Sequence, residues 1–106
     1  MIVNKLEKIL ERFEEEDFLK ADGLDDAIIG VDGLEYRLVY GIEKCIDILA
    51  KDMKVTKKDL SKGEIEEGLT IKEKKYELAS EYFYYNTLNA YVGEQTPIFI
   101  YENFED

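Results

Sequence analysis

Residues 27–40 contain two short runs of β-branched and aromatic residues, one on each side of Asp32-Gly33. An Asp-Gly pair between such runs favours a β-hairpin, because both residues accept the backbone angles of a tight turn. Leu34 and Glu35 follow before the second run begins, so we expect a loop slightly longer than two residues. The sequence therefore predicts two antiparallel strands, 27–31 and 36–40.

Helical spacing of apolar residues surrounds this hairpin. Residues 2–19 have apolar side chains at intervals of three and four, with Asn4 as the expected N-cap. Residues 41–53 repeat the same spacing and predict a second helix. Residues 70–73, Thr-Ile-Lys-Glu, have the spacing of a capping box, so a third helix is expected to begin there.

The third helix is expected to end at about Val92, with Gly93 as its C′ residue. Pro97 then precedes an apolar run at 98–101, which predicts a third strand, because proline is tolerated at the first position of a strand. Consecutive apolar residues indicate that this strand is covered on both faces or paired centrally.

Residues 54–70 are the least hydrophobic stretch, and residues 54–75 contain seven lysines and five acidic residues. We interpret 54–70 as a Lys-rich connector or surface insertion with one short helical turn after Thr56. Residues 102–106 are expected to form a loose tail. Together the elements predict a small single α+β domain over residues 1–106, in the order α-β-β-α-α-β. Its expected sheet has about three antiparallel strands, with helices packed mainly on one face.

Charge is the strongest compositional signal, because 25 acidic residues oppose 14 basic ones and give a net charge of −11. Such a chain repels phosphate backbones and anionic membranes. We therefore expect a protein partner with a basic surface, and no direct contact with nucleic acid or membrane. The run Glu14-Glu15-Glu16-Asp17 lies late in the first predicted helix, where acids oppose the helix dipole. It is either a solvated face, which solubility alone explains, or a recognition surface.

The cellular compartment is indicated by three features that the sequence lacks: a cysteine pair, a long apolar run and a signal peptide. A lone cysteine cannot form an internal disulfide, and no apolar run approaches the ~18 residues of a membrane-spanning helix. The first residues alternate apolar and charged character too early for a signal peptide. We therefore expect a cytoplasmic protein. Cys45 lies in the apolar stripe of the second helix, which predicts a buried structural thiol.

The third predicted helix is apolar on more sides than packing on one sheet requires, which is a single stripe of about 100°. Its stripes are Ala79, Phe83, Asn86 and Ala90; Leu78, Tyr82, Tyr85, Asn89 and Val92; and Tyr84, Leu88 and Tyr91. Either the helix is central and covered by other elements, or it leaves Tyr84, Leu88 and Tyr91 exposed. In the second case these residues form an interface, for which tyrosine is well suited.

Two stretches of the sequence follow a recognisable pattern. They are Glu81-Tyr82-Phe83-Tyr84-Tyr85-Asn86 and Ala90-Tyr91-Val92-Gly93-Glu94-Gln95-Thr96-Pro97-Ile98-Phe99. With Asp26-Ala27-Ile28-Ile29-Gly30-Val31 and Tyr40…Lys44-Cys45-Ile46, they resemble a family of small uncharacterised proteins encoded by phages and prophages. The first helix and the Lys-rich connector lie outside the pattern. The resemblance implies a phage or prophage origin and expression in a bacterial cytoplasm, and it implies no activity or site residues.

Residue types that support catalysis or metal binding are scarce. The chain has no histidine, which excludes Ser-His-Asp and Cys-His catalysis and imidazole metal sites. One cysteine excludes thiolate zinc clusters, and neither a P-loop nor a G-x-G-x-x-G sequence occurs. Carboxylate chemistry remains as an alternative, with a hard-cation site formed by Asp22, Asp25, Asp26 and Asp32 or a general acid-base pair. We predict a non-enzymatic protein without a cofactor.

The composition and motifs favour an interaction protein that binds and modulates a host or phage protein. The residues expected to bind the partner are Glu7, Glu11, Glu14, Glu15, Glu16, Asp17, Tyr84, Leu88 and Tyr91. In a sharper form of this hypothesis, the acids imitate a nucleic-acid backbone and occupy the basic channel of a nuclease, polymerase or defence effector. Two alternatives stay open: a structural protein that self-assembles as a symmetric dimer through the Tyr-rich helix, and a carboxylate-dependent enzyme.

Overall fold

A computed structural model describes residues 5–90 and 93–104 and has an α+β fold. The helices and strands are α1 (Lys5–Arg12), β1 (Ile28–Val31), β2 (Leu38–Gly41), α2 (Ile42–Asp52), α3 (Lys62–Glu66), α4 (Ile71–Tyr82) and β3 (Ile98–Ile100). The 3-10 helices Asp25–Ala27 and Lys57–Asp59 and the π-helix Phe83–Leu88 complete the described elements. The predicted α+β class is confirmed, with α3 as an additional short helix.

The chain divides into two compact units. The first unit comprises the described residues of 1–45 and 90–106, and it contains α1 and the sheet. The second unit comprises residues 46–89, and it contains α3, α4 and the π-helix.

The three strands are ordered β1-β2-β3. β1 and β2 pair antiparallel, with Val31 opposite Leu38, as the hairpin prediction requires. β3 instead pairs parallel to β2, with Val39 opposite Ile98. The prediction of an entirely antiparallel sheet is therefore wrong. The reason is connectivity, because residues 42–97 form a long crossover, and parallel neighbours require such a connection.

β3 lies at an edge of this sheet, so of the two alternatives expected for the third strand, central pairing is wrong. The central strand is β2, whose residues Leu38 and Tyr40 are buried. Ile98 and Phe99 of β3 are half-buried, and Ile100 is exposed. Neighbouring residues of a strand face opposite sides of the sheet, so a run of apolar residues indicates that both sides are partly buried. An edge strand can be partly buried on both sides in the same way.

Tyr40 lies in the core of the first unit. The buried residues of this core are Leu6, Ile9, Leu24, Ala27, Ile28, Leu38, Tyr40, Ile42 and Cys45. The Tyr40 ring lies 5.4 Å from the Phe99 ring, and its hydroxyl accepts a hydrogen bond from the N–H of Ala21 at 2.9 Å. Burial raises the pKa of the Cys45 thiol to about 12. The predicted buried thiol is confirmed, and the thiol is protonated at neutral pH.

The first helix is shorter than the sequence spacing predicts. It covers Lys5–Arg12, and turns follow at residues 13–15. The acidic run 14–17 explains this end, because carboxylates at the C-terminal end of a helix oppose its dipole. The predicted N-cap, Asn4, lies outside the described residues.

Three capping boxes organise the second unit, each closed by a Ser or Thr and an acidic residue three positions later. They are Thr56 with Asp59, Ser61 with Glu64, and Thr70 with Glu73. The helical turn expected after Thr56 and the helix expected after Thr70 are both confirmed. The stretch 54–70 also contains α3, which was not predicted, although Ser61 and Glu64 have the spacing of a capping box.

The helix that begins at Ile71 changes its winding after Tyr82 and continues as a π-helix through Leu88. The predicted single α-helix to Val92 is therefore too long, and Val92 itself lies outside the described residues. Gly93 has a positive φ of 118°, but it is not the C′ residue of this helix, because the helix ends five positions earlier.

Glu102, the first residue of the tail predicted to be loose, is held at the start of α2. Its N–H donates to Oε1 of Glu43 at 3.2 Å, and its carboxylate lies 3.3 Å from Nζ of Lys44. The N–H groups of Glu43 itself, Glu102 and Asn103 hold the pKa of the Glu43 carboxyl below its ordinary value. A side chain at Gly41 would meet the Glu102 carboxylate, so glycine fits this close approach.

Candidate partner-binding site

The acidic segment, residues 7–17, lies at the surface of the first unit. Glu7 and Glu11 project from α1, and Glu14 and Glu15 lie in the turn that follows. Asp17 is exposed and Glu16 is half-buried in the irregular backbone beyond the turn. The structure therefore places the six acids predicted to bind a partner along one continuous, mostly exposed stretch of chain.

Aromatic contacts fix the backbone that carries these acids. The ring of Phe13 lies 6.4 Å from Phe18 and 5.8 Å from Tyr36. The Arg12 guanidinium lies over the Phe13 ring at 5.5 Å, within the range of a cation–π contact. Because Tyr36 belongs to the β1–β2 loop, these contacts hold the acidic segment against that loop.

Most carboxylates of the acidic segment have no counter-ion among the residues that the structure describes. In the part of the chain that the structure describes, no ion pair involves Glu11, Glu14, Glu15, Glu16 or Asp17. Unpaired like charges repel each other and create a negative potential that reaches beyond the surface. This potential attracts cations and basic proteins.

The β1–β2 loop adds an apolar residue beside the acids. Oδ2 of Asp32 accepts a hydrogen bond from the N–H of Glu35 at 2.8 Å, and Tyr36 adopts a positive φ of 55°. This geometry leaves the Leu34 side chain 90% exposed at the loop tip. The sequence pattern predicts only that Leu34 lies in the loop, and its exposure follows from the turn geometry.

The net charge is concentrated in one unit. Residues 1–45 and 90–106 contain 16 acidic and six basic residues, a net charge of −10. Residues 46–89 contain nine acidic and eight basic residues, a net charge of −1. The first unit therefore carries nearly all the electrostatic attraction for a basic partner.

The Tyr-rich helix presents different residues from those expected. Tyr84 and Leu88 are half-buried, and Tyr91 lies outside the described residues. The exposed tyrosines at the end of this helix are instead Tyr82 at 50% and Tyr85 at 81%, and Tyr76, earlier in α4, is also exposed. The α-helical stripe that contains Tyr82 and Tyr85 is the exposed one, and the stripe that contains Ala79 and Phe83 is buried. The sequence pattern gave several apolar stripes and did not decide which of them meets solvent.

An open groove lies in the second unit, between the second half of α2 and the start of α4. Its volume is about 1110 Å³. The lining residues are Asp47, Ala50, Lys51, Leu69, Ile71, Lys72, Glu73, Lys75, Tyr76 and Glu77. No pattern in the sequence predicts this groove, because its two walls are about 20 residues apart in the chain.

An ion pair holds α3 against α4 beside this groove. Nζ of Lys74 lies 2.9 Å from Oε2 of Glu64 and 3.9 Å from Oε1 of Glu77. The N–H of Ser61 and the ammonium of Lys74 hold the pKa of the Glu64 carboxyl below its ordinary value of 4.5. The same hydrogen bond to Glu64 raises the pKa of Lys74.

The Glu64 carboxyl has a pKa below 4.5 in the folded protein. The stability that this lowered pKa contributes is therefore present above pH 4.5, and it is lost as the pH falls through the lowered pKa. In K74Q the pKa of Glu64 should rise but stay below its ordinary value, because the Ser61 N–H remains. The pKa of Glu64 in the wild type and in K74Q is measured by NMR titration of the carboxyl carbon in isotope-labelled protein. K75Q is the control and should leave Glu64 unchanged; an equal rise in K75Q would contradict the assignment of the ion pair.

The four aspartates proposed for a cation site do not come together. Asp25 pairs with Lys20 at 3.7 Å, and Asp32 stabilises its own loop. Within residues 5–90 and 93–104, no three or more Cys, Asp or Glu side chains are grouped so that they could hold a metal ion. The alternative of a hard-cation site formed by these four aspartates is therefore wrong, because among the described residues none of them belongs to a group of three or more such side chains.

Over the same described residues, no helix combines the length and the apolar character that crossing a membrane requires. No protein-family model, curated protein or solved structure matches this chain. The resemblance to small phage and prophage proteins therefore stays a prediction.

Proposed function

We propose that this protein is a non-enzymatic acidic protein that binds and modulates a host or phage protein through the acidic segment. The partner presents a basic surface, and the encounter takes place in the bacterial cytoplasm. The observation that carries the proposal is that the exposed carboxylates of Glu11, Glu14, Glu15 and Asp17 make no ion pair with any described residue. The ring contacts of Phe13 hold the backbone of this segment in place.

The setting of these carboxylates supports a recognition surface over a merely solubilising one. On a surface that serves solubility alone, charges of both signs are typically interspersed. Here six acids outnumber two bases, Lys8 and Arg12, within residues 7–17. Three exposed apolar residues, Leu10, Leu19 and Leu34, belong to this segment or to the stretches whose aromatic residues contact Phe13. A charged surface with apolar residues beside it suits protein recognition, because charge speeds the encounter and desolvated apolar contacts slow dissociation.

A sharper form of the proposal is nucleic-acid mimicry. Carboxylates at successive exposed positions take the place of phosphates in the basic channel of a nuclease, polymerase or defence effector. A channel built for phosphates binds through many charge contacts, so its affinity for a mimic falls steeply with salt, as it does for nucleic acid.

The experiment is affinity capture from nuclease-treated bacterial lysate at low and high salt. We expect one stoichiometric partner with a basic surface, retained at low salt and released at high salt. Competition with duplex DNA for that partner tests mimicry directly. Retention that is indifferent to salt would contradict the role of the acidic segment, and retention of no partner would contradict the proposal as a whole.

A second candidate function is self-assembly through the Tyr-rich helix. The observation that favours it is the exposure of Tyr82 and Tyr85, since large exposed aromatic rings on one helix are typical of interfaces. A monomer in light scattering at high protein concentration would exclude this candidate.

A further inference from the structure

Aspartate precedes glycine at two places in the chain, in Ala21-Asp22-Gly23-Leu24 and in Val31-Asp32-Gly33-Leu34. At such a pair the backbone nitrogen of the glycine can attack the side-chain carboxyl carbon of the aspartate, because glycine has no side chain to obstruct the approach. A C–N bond forms, and the amide proton leaves with the carboxyl hydroxyl as water. Water then opens this cyclic succinimide at either carbonyl, and one product is isoaspartate, in which the main chain runs through the former side-chain carboxyl.

The β1–β2 loop restrains Asp32, which is half-buried. Its N–H donates to the carbonyl oxygen of Arg37 at 2.8 Å, and its carbonyl oxygen accepts from the N–H of Tyr36 at 3.0 Å. Oδ2 of its carboxylate accepts from the N–H of Glu35 at 2.8 Å. Ring closure requires the carboxylate and the following peptide to turn towards each other. The hydrogen bonds to the carboxylate and to the carbonyl oxygen of Asp32 must therefore break first.

The turn that contains Asp22 holds this residue far less firmly. Asp22 is exposed, and neither its carboxylate nor its backbone N–H and carbonyl oxygen makes a hydrogen bond or ion pair with a described residue. The N–H of Gly23, which carries the attacking nitrogen, donates to no described residue either. A single bond closes the turn, from the N–H of Leu24 to the carbonyl oxygen of Ala21 at 3.2 Å. The local opening that permits ring closure therefore requires less free energy at Asp22 than at Asp32.

We propose that Asp22-Gly23 is the site at which isoaspartate forms spontaneously in this protein, in preference to Asp32-Gly33. The modified chain is a substrate for isoaspartate methyltransferases, which transfer a methyl group from S-adenosylmethionine to the carboxylate of isoaspartate. The products are a methyl ester and S-adenosylhomocysteine. Isomerisation itself keeps one carboxylate at the position, so it changes neither the mass of the protein nor its net charge of −11.

The modification falls in the stretch of chain that joins the acidic segment to the sheet. Just before the site, the N–H of Ala21 donates to the hydroxyl of Tyr40 at 2.9 Å. Just after it, the Leu24 side chain is buried. Isoaspartate inserts an additional methylene group into the main chain between these two anchors. The reaction requires no partner, so it goes beyond the proposed function, and its absence would leave that function intact.

The test incubates the full chain at neutral pH and physiological temperature, both folded and in guanidinium chloride. Isoaspartate is quantified with an isoaspartate methyltransferase and radiolabelled S-adenosylmethionine, and it is located by electron-transfer fragmentation of the peptides that contain each site. In the folded protein we expect isoaspartate to accumulate at Asp22 at least about fivefold faster than at Asp32, the factor that corresponds to one additional hydrogen bond broken. In the denatured chain the two rates should be similar, because both aspartates follow an aliphatic residue and precede Gly-Leu.

A pair of charge-conserving variants provides the matched control. D22E should remove most of the methylation of the folded protein, because glutamate would have to close a larger ring, whereas D32E should leave most of it. Circular dichroism establishes that each variant is folded. Equal rates at the two sites of the folded wild type, faster reaction at Asp32, or undiminished methylation of D22E would overturn the proposal. So would a folded protein that forms no isoaspartate under conditions in which the denatured chain does.

Discussion

Replacing Phe83 with alanine should destabilise the protein by about 3–5 kcal/mol, which is close to the whole stability of a small domain. Phe83 is 0% exposed at the junction between α4 and the π-helix. Its ring packs edge-on against Tyr84 at 5.6 Å, and Ala79, one turn earlier, is also completely buried. Truncation removes this buried ring and leaves a cavity that the surrounding helix can only partly close.

The matched control for this prediction is Tyr85→Ala, two positions away. Tyr85 is 81% exposed, so its truncation should change the free energy of unfolding by no more than about 0.5 kcal/mol. Urea denaturation followed by circular dichroism measures both variants. If F83A were as stable as Y85A, Phe83 would not be a core residue.

The same control variant also tests self-assembly. If the exposed tyrosines form a symmetric interface, Y85A is a folded monomer where the wild type is a dimer in light scattering. If the wild type is already a monomer, the exposed tyrosines do not mediate self-association.

Reversing four charges of the acidic segment should abolish steered association with a basic partner. The variant E11K/E14K/E15K/D17K changes charges that have no ion-pair partner in the described structure. Electrostatic steering raises association rates by about 10- to 1000-fold, so we expect a loss of this size at low salt. Surface plasmon resonance with the partner captured from lysate measures the association rate.

The control variant D52K/E66K/E67K/E81K makes the same change in net charge at exposed acids of the second unit. Its association rate should stay near that of the wild type, because these residues lie outside the acidic segment. An equal loss in both variants would show that the net charge alone drives association. Retention of binding by the acidic-segment variant would contradict the proposed function.

Local signals predicted much of the secondary structure. The capping boxes at Thr56 and Thr70 fix helix starts through contacts between residues three apart, so they act independently of the rest of the fold. The Asp32 loop is likewise held by hydrogen bonds within the loop. By contrast, the direction of β3 depends on a strand about 60 residues earlier, which no local pattern encodes.

The features of the candidate sites also separate into those visible in the sequence and those that depend on the fold. The run Glu14–Asp17 was identified from the sequence, because a charge run is visible without a fold. The exposure of Leu34 and the Phe13–Tyr36 contact appear only when the hairpin and α1 are placed in space. The exposed residues are Tyr82 and Tyr85, whereas Tyr84 and Leu88 are half-buried, because packing in the folded protein decides which apolar stripe of the helix is covered.

The sequence by itself determined the α+β class, the hairpin, the starts of the capped helices and the strongly acidic charge, because each depends on neighbouring residues or on composition. Tertiary structure alone decided the parallel pairing of β3, the π-winding at Phe83 and the groove between α2 and α4. These features require residues distant in the chain to meet, and their free energy comes from contacts that exist only in the folded protein.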